Sequence, residues 1–171
     1  MVLDALWKLA RYYRSADPRE IEFVIEMLNS KNLQRYLGSI AMKLAMEYLE
    51  WVVQHAKEFN ESLEFLLSLP KGQYRIDKMD FENIYYRVLK AYDKISQWLI
   101  HLSHLLKILK GSSEIETIYG WKLPDGLEIR INTKPVLSIQ FWKNGKLVKD
   151  IYVNDLYEWK PWCPAMTICV R

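Results

Sequence analysis

Cysteine, glycine and proline are all scarce in this chain of 171 residues, at 2, 6 and 6. Two cysteines cannot staple a disulfide scaffold, and so little glycine and proline excludes a collagen-like or low-complexity chain. Charge of one sign is not in excess either. The sequence holds 24 basic and 21 acidic residues, and the surplus of +3 is spread as +2 over residues 1–110 and +1 over 111–171. A dedicated nucleic-acid binder usually carries a stronger bias, although a locally sorted patch escapes such a count. Long hydrophobic runs are missing as well. The longest uncharged stretch of residues 1–110, Ile95 to Leu106, is twelve residues with two histidines in it, well short of the roughly 20 needed to cross a bilayer. Asp4, Lys8, Arg11 and Arg14 break up the start of the sequence, which therefore has no apolar core of a signal peptide. These absences predict a soluble, intracellular protein that does not enter a membrane.

The chemistry of common enzyme classes is absent too. Gly38, Gly72, Gly111, Gly120, Gly126 and Gly145 stand alone, so no phosphate-cradling loop or dinucleotide fingerprint is formed. No serine occupies a nucleophile elbow. No cofactor is expected, and the chain reads as a non-enzyme. Cys163 and Cys169 are six positions apart, which fits no zinc-ligand spacing, and they read as buried thiols or a local disulfide.

What the sequence has in quantity is apolar and aromatic residues, at 50% and 13%, against 26% charged. A chain of this length buries about 70% of its unfolded surface, enough for a core without a metal or disulfide staple. Residues 3–15 and 18–29 carry apolar residues three and four apart, and Asp17-Pro18-Arg19-Glu20 opens the second segment with a capping arrangement. Residues 31–59 read as one long helix, its core stripe being Leu33, Leu37, Ile40, Leu44, Tyr48, Trp51, His55 and Phe59. Met42, Met46, Leu49 and Val53 widen the apolar arc far beyond 100°, so neighbours are expected on more than one side. Asn60 is placed to cap a short helix that Pro70-Lys71-Gly72 ends, and Asp80 a last helix over 80–110.

After Gly111-Ser112-Ser113 the period changes from 3.6 to 2. Leu127, Ile129 and Ile131 alternate with Glu128, Arg130 and Asn132, as in a half-buried strand. Asn144-Gly145 is a strong hairpin signal joining 136–142 to 147–153, because a type I′ turn needs positive φ at both central positions. Strands are also expected at 115–122 and 166–170. The predicted fold is α+β: a bundle of about five helices over 1–110, then a small antiparallel β-rich segment, 114–171, docked on it.

Three groups of residues are candidates for function. Tryptophans crowd the β-rich segment, and alternation turns Trp142 away from Leu137, Ile139 and Phe141. Trp142, Trp159 and Trp162 are thereby a candidate docking face for a protein partner, since tryptophan dominates the energetics of such interfaces. The alternative is sequence-independent nucleic-acid binding. At 100° per residue, Arg87, Lys90, Lys94, His101 and His104 form a ridge on the last helix away from its core stripe, with Lys8 and Arg11 of the first segment to assist. The third reading is an enzyme or metal site using His101 and His104, which needs a further ligand such as Asp93. No metal ligand set is assigned, and His55 reads as a hydrogen-bonded core histidine.

Overall fold

The computed structural model describes residues 33–75, 84–110, 120–122, 126–133, 136–153 and 167–171. Helix α1 spans Leu33–Gln54 and α2 spans Ala56–Ser68, with only His55 between them. His55 leaves helical geometry at φ −95° and ψ 4°, yet its N–H still donates to Trp51 O and its carbonyl accepts from Phe59 N–H, both at 3.1 Å. The two helices are therefore a single rod with a bend. Helix α3, Tyr86–Lys110, runs antiparallel to it. The contacts fix that direction, since Lys94 meets Glu58, Trp98 meets Val52 and Phe59, and His104 meets Tyr48.

The packed seam has the 3–4 spacing of helix faces. Ala45, Leu49, Val52, Ala56 and Phe59 on the rod meet Ile95, Trp98, Leu99, Leu102 and Leu105 on α3, all at most 5% exposed. Trp98 is wholly buried, and its indole N–H donates to Val52 O at 3.0 Å, so its one polar atom is satisfied inside the core. Each such fully buried large side chain contributes about 1.5–3 kcal/mol by removal from water.

Six strands form one antiparallel sheet: β1 Gly72–Arg75, β2 Gly120–Lys122, β3 Leu127–Asn132, β4 Leu137–Lys143, β5 Lys146–Val153 and β6 Thr167–Val170. Their order is β1-β6-β5-β4-β3-β2. Strands β2 to β5 are a meander, and β6 returns to pair β5 on one side and β1 on the other. The β4–β5 turn places Asn144 at φ 51° and Gly145 at φ 78°, as the Asn-Gly pair predicts. Two residues later the register slips: Phe141 pairs with Lys149 but Trp142 with Leu147, so Val148 is an inserted bulge residue.

Leu127, Ile129, Ile139, Phe141, Ile151, Ile168 and Val170 give the sheet an apolar face that belongs to the same core cluster as the helix seam. Lys149 sits on that face in register with Phe141, and its Nζ donates to Leu67 O and Leu69 O at the end of α2. Helix α2 has no basic residue in its last turn. A cation from the sheet thus takes up carbonyls that a helix C-terminus leaves without partners. Tyr92 adds a second tie, from α3 to β3, by donating its hydroxyl hydrogen to Asn132 O at 3.4 Å.

The α+β class agrees with the sequence reading, but several of its details are corrected. The described residues hold three helices, not a bundle of about five; the expected helices at 3–15 and 18–29 lie outside them. The segment 31–59 is not one helix. Gly38, at φ 71° and ψ 165°, leaves helical geometry, and the helix proper stops at Gln54. Asn60 lies inside α2 and caps nothing, and the helix expected over 80–110 has its described α-helical part from Tyr86. Strand β1 starts at the Gly72 of the Pro70-Lys71-Gly72 stop, where the sequence pattern predicts no strand. The core stripe is also rotated: Ile40 and Leu44 are 77% and 42% exposed, while Ala45 and Leu49 are buried. An apolar arc wider than 100° does not say which of its edges a single neighbouring helix will cover, and α3 covers the Ala45 edge. Cys169 is 1% exposed and disulfide-bonded, and Cys163 lies outside the described residues. Among the described residues no helix is long and apolar enough to cross a membrane.

Candidate functional site

Strand alternation decides where Trp142 goes. With Phe141 and Ile139 on the core face, Trp142, Gln140 and Ser138 take the other, opposite Glu128, Arg130 and Asn132 of β3. There the ring is held from two sides. The Arg130 guanidinium carbon is 4.3 Å from the Trp142 ring centroid, and the indole N–H donates to Gln140 Oε1 at 3.1 Å. Arg130 is itself fixed, because its Nε donates to Glu128 Oε1 at 2.9 Å. Trp142 is half-buried, so one part of a fixed ring remains open to solvent.

Directly across the ladder stands Leu147, with the bulge residue Val148 beside it, 42% and 43% exposed. Lys143 and Lys146 face each other at the turn, both exposed. The hairpin end is thus an apolar surface of Trp142, Leu147 and Val148 next to two lysines. Away from the turn the same face of the sheet is buried and polar: Ser138, Asp150 and Thr167 are 3%, 1% and 7% exposed. Burial and the neighbouring Asp150 push the Tyr152 phenol above its ordinary range. Trp159 and Trp162 lie outside the described residues.

The expected basic ridge does not behave as one surface. Arg87, Lys90 and Lys94 do share a side of α3, but that side forms one wall of a cleft of about 370 Å³ whose other wall is α2, with Glu58, Glu61, Ser62 and Phe65 at helical spacing. Lys94 is bonded to Glu58 at 2.7 Å, and this hydrogen bond and charge hold the Glu58 carboxyl below its ordinary range. Glu61 lies 3.9 Å from Lys57. The Arg87 guanidinium lies over Phe65, 4.2 Å from the ring centroid. Lys8 and Arg11 lie outside the described residues.

His101 and His104 do not continue a solvent-facing ridge; they are half-buried between helices. Near-parallel rings place His55 and His101 3.9 and 3.7 Å from the Trp51 centroid. Two imidazoles that close to one centroid would overlap on a shared face, so the indole is sandwiched between them. Tyr48 stacks on His104 at 5.4 Å and meets His101 edge-on at 5.8 Å. All three histidines of the chain therefore converge on two aromatic residues of α1. His55 Nδ1 and His101 Nδ1 lie 2.8 and 2.7 Å from the carbonyls of Trp51 and Gln97, one helical turn back. A carbonyl only accepts, so both rings carry hydrogen on Nδ1. Burial, Lys107 and His101 pull the His104 pKa below its ordinary range. Among the described residues no group of three His, Cys, Asp or Glu is placed to hold a metal ion.

Comparison of the chain with protein-family models, curated proteins and solved structures finds no match. The site residues that sequence reasoning missed are cross-element partners. Arg130, Leu147 and Val148 gain their roles from strand register, and Glu58, Glu61 and Phe65 from the antiparallel pairing of α2 with α3. The register was within reach, because the two-residue Asn-Gly turn fixes Lys143 opposite Lys146 and so brings the two strands together near Trp142.

Proposed function

We propose that this protein is a non-enzymatic interaction protein, a small subunit of a larger assembly, that docks a protein partner through the β4–β5 hairpin. One observation carries the reading. Trp142 is held between Arg130 and Gln140, with exposed Leu147 and Val148 against it and lysines at the turn. Tryptophan and arginine are the residues most enriched in interface hot spots, and a ring fixed before binding loses little freedom on binding. Lys143 and Lys146 select a partner with an apolar pocket and an acidic rim. Trp159 and Trp162, from the same aromatic-rich stretch, are proposed to extend this face.

The nucleic-acid reading is weaker. Of its five proposed contacts on α3, Lys94 is engaged by Glu58 and both histidines are packed on aromatic rings. The two glutamates of the opposing wall also repel a phosphate backbone. Chemistry at His101 and His104 has less support still, as their rings are taken up by Tyr48 and Trp51.

The test is a photo-crosslinking residue at Val148, in the full chain and in its natural cell. The expected result is one discrete adduct that disappears in Trp142→Ala, while thermal unfolding changes little because the ring is only half-buried. An adduct indifferent to Trp142→Ala, or a large loss of stability in that variant, overturns the reading.

A further inference from the structure

We propose that the cleft between α2 and α3 binds a small organic oxyanion, a carboxylate or phosphate monoester on a flat apolar body. The inference is independent of the docking reading and rests on which charges in the cleft are already engaged. Each carboxylate of the α2 wall has its own lysine: Glu58 has Lys94 at 2.7 Å and Glu61 has Lys57 at 3.9 Å. Among the described residues, Arg87 and Lys90 have no carboxylate within ion-pair distance. The lining of the concavity therefore sets three cations, Arg87, Lys90 and Lys94, against two carboxylates. The two cations outside a close ion pair, Arg87 and Lys90, stand one helical turn apart at one end, Lys90 still acting on Glu58 through space.

The geometry of Arg87 suits it to an anion. With its guanidinium carbon over the Phe65 ring, 4.2 Å from the centroid, the cation is held in place by the ring. Its planar fork of N–H groups matches the paired bonds that two oxygens of one oxyanion accept. Lys90 adds a point charge, and the Ser62 hydroxyl lies on the facing wall. Phe65 and Ala91 supply apolar surface for the body of the ligand. At about 370 Å³ the cleft is within the usual span of small-molecule sites, roughly 300–1,000 Å³. A polynucleotide fits less well, because its repeating charges cannot avoid Glu58 and Glu61, whereas a single anionic group reaches Arg87 and Lys90 alone.

The experiment is a titration of the full chain with phenyl phosphate, benzoate and inorganic phosphate at low salt, followed by heteronuclear NMR, with a single-stranded oligonucleotide as a fourth probe. Saturable shifts on α2 and α3, with an aromatic anion binding more tightly than inorganic phosphate, are expected. Whether phenyl phosphate or benzoate binds better identifies the anion, and either supports the site. Arg87→Gln should weaken binding about 10- to 100-fold, the range for lost hydrogen bonds to a charged group. Lys90→Gln should weaken it about 2- to 5-fold. Lys43→Gln, an exposed change on α1, should leave it unaltered. Both arginine and lysine are exposed, so neither change threatens folding. No saturable binding of any small anion, binding that survives Arg87→Gln, or tighter binding of the oligonucleotide overturns the proposal.

Discussion

Replacing Lys149 by methionine tests how sheet and helices are joined. Methionine preserves the apolar stem and its packing volume while removing the ammonium that donates to Leu67 O and Leu69 O. Leu69 is only 8% exposed, so water does not readily replace the lost partner. A buried acceptor left without a donor costs about 1–3 kcal/mol. An opposing contribution comes from the ammonium itself. Burial and nearby Lys71 pull the Lys149 pKa below the ordinary lysine value of 10.5, so the charge is held at some expense that the variant relieves. Two lost bonds less that relief leave a net loss of about 2 kcal/mol. For a chain of this size the loss corresponds to a Tm lower by roughly 4–8 °C. The pH dependence sharpens the test. With the folded pKa depressed, the unfolded chain holds the proton more tightly, and the cost of the charge is fully present at neutral pH. That cost disappears as the pH rises through the folded pKa toward 10.5, while the neutral amine still donates. Native protein should therefore gain on Lys149→Met under alkaline conditions. Calorimetry across pH reads both effects. A variant as stable as the native chain, or more stable, would refute the view that these two bonds tie the sheet to α2.

Two further predictions rest on equally local features. Gly145→Ala places a Cβ on a residue at φ 78°, with no atom within 4 Å of it, so the cost is conformational alone. It should come to about 1 kcal/mol in denaturant unfolding, with an unchanged m-value. His104 should make the fold acid-sensitive: its folded pKa is lowered, so the unfolded chain takes up a proton first as the pH falls through 6.5. Stability then declines on acidification through that range, and His104→Gln should flatten the decline in a pH series of melts.

The α+β class, the change of period after residue 113 and the Asn144-Gly145 hairpin were legible because each depends on neighbours in sequence. What was not legible depends on partners far apart. The apolar arc of α1 spans both Leu44 and Ala45, and only the position of α3 decides that Ala45 is core. The places of His101 and His104 on α3 predict a polar face, yet Tyr48 and Trp51 of α1 cover them. Helix position alone leaves Lys94 on a basic ridge, and only the fold brings Glu58, 36 residues away, to it. Trp142 lies on the face away from Phe141, as period 2 predicts from the strand alone. Its clamp by Arg130 needed the register.

The edge strand β1 has a consequence for the order in which the molecule is made. Gly72 pairs with Val170 and Arg75 with Thr167, so the two halves of this ladder leave the ribosome more than ninety residues apart. At about 5–20 residues per second, β1 waits several seconds or longer before its partner exists. During that interval α2 can lie against α3, but its end lacks a cap until Lys149 has been made, and β1 offers unpaired N–H and C=O groups to any passing strand. Strand β6 therefore acts as a closing clasp, and a ribosome stalled before Thr167 would hold a chain with β1 unpaired.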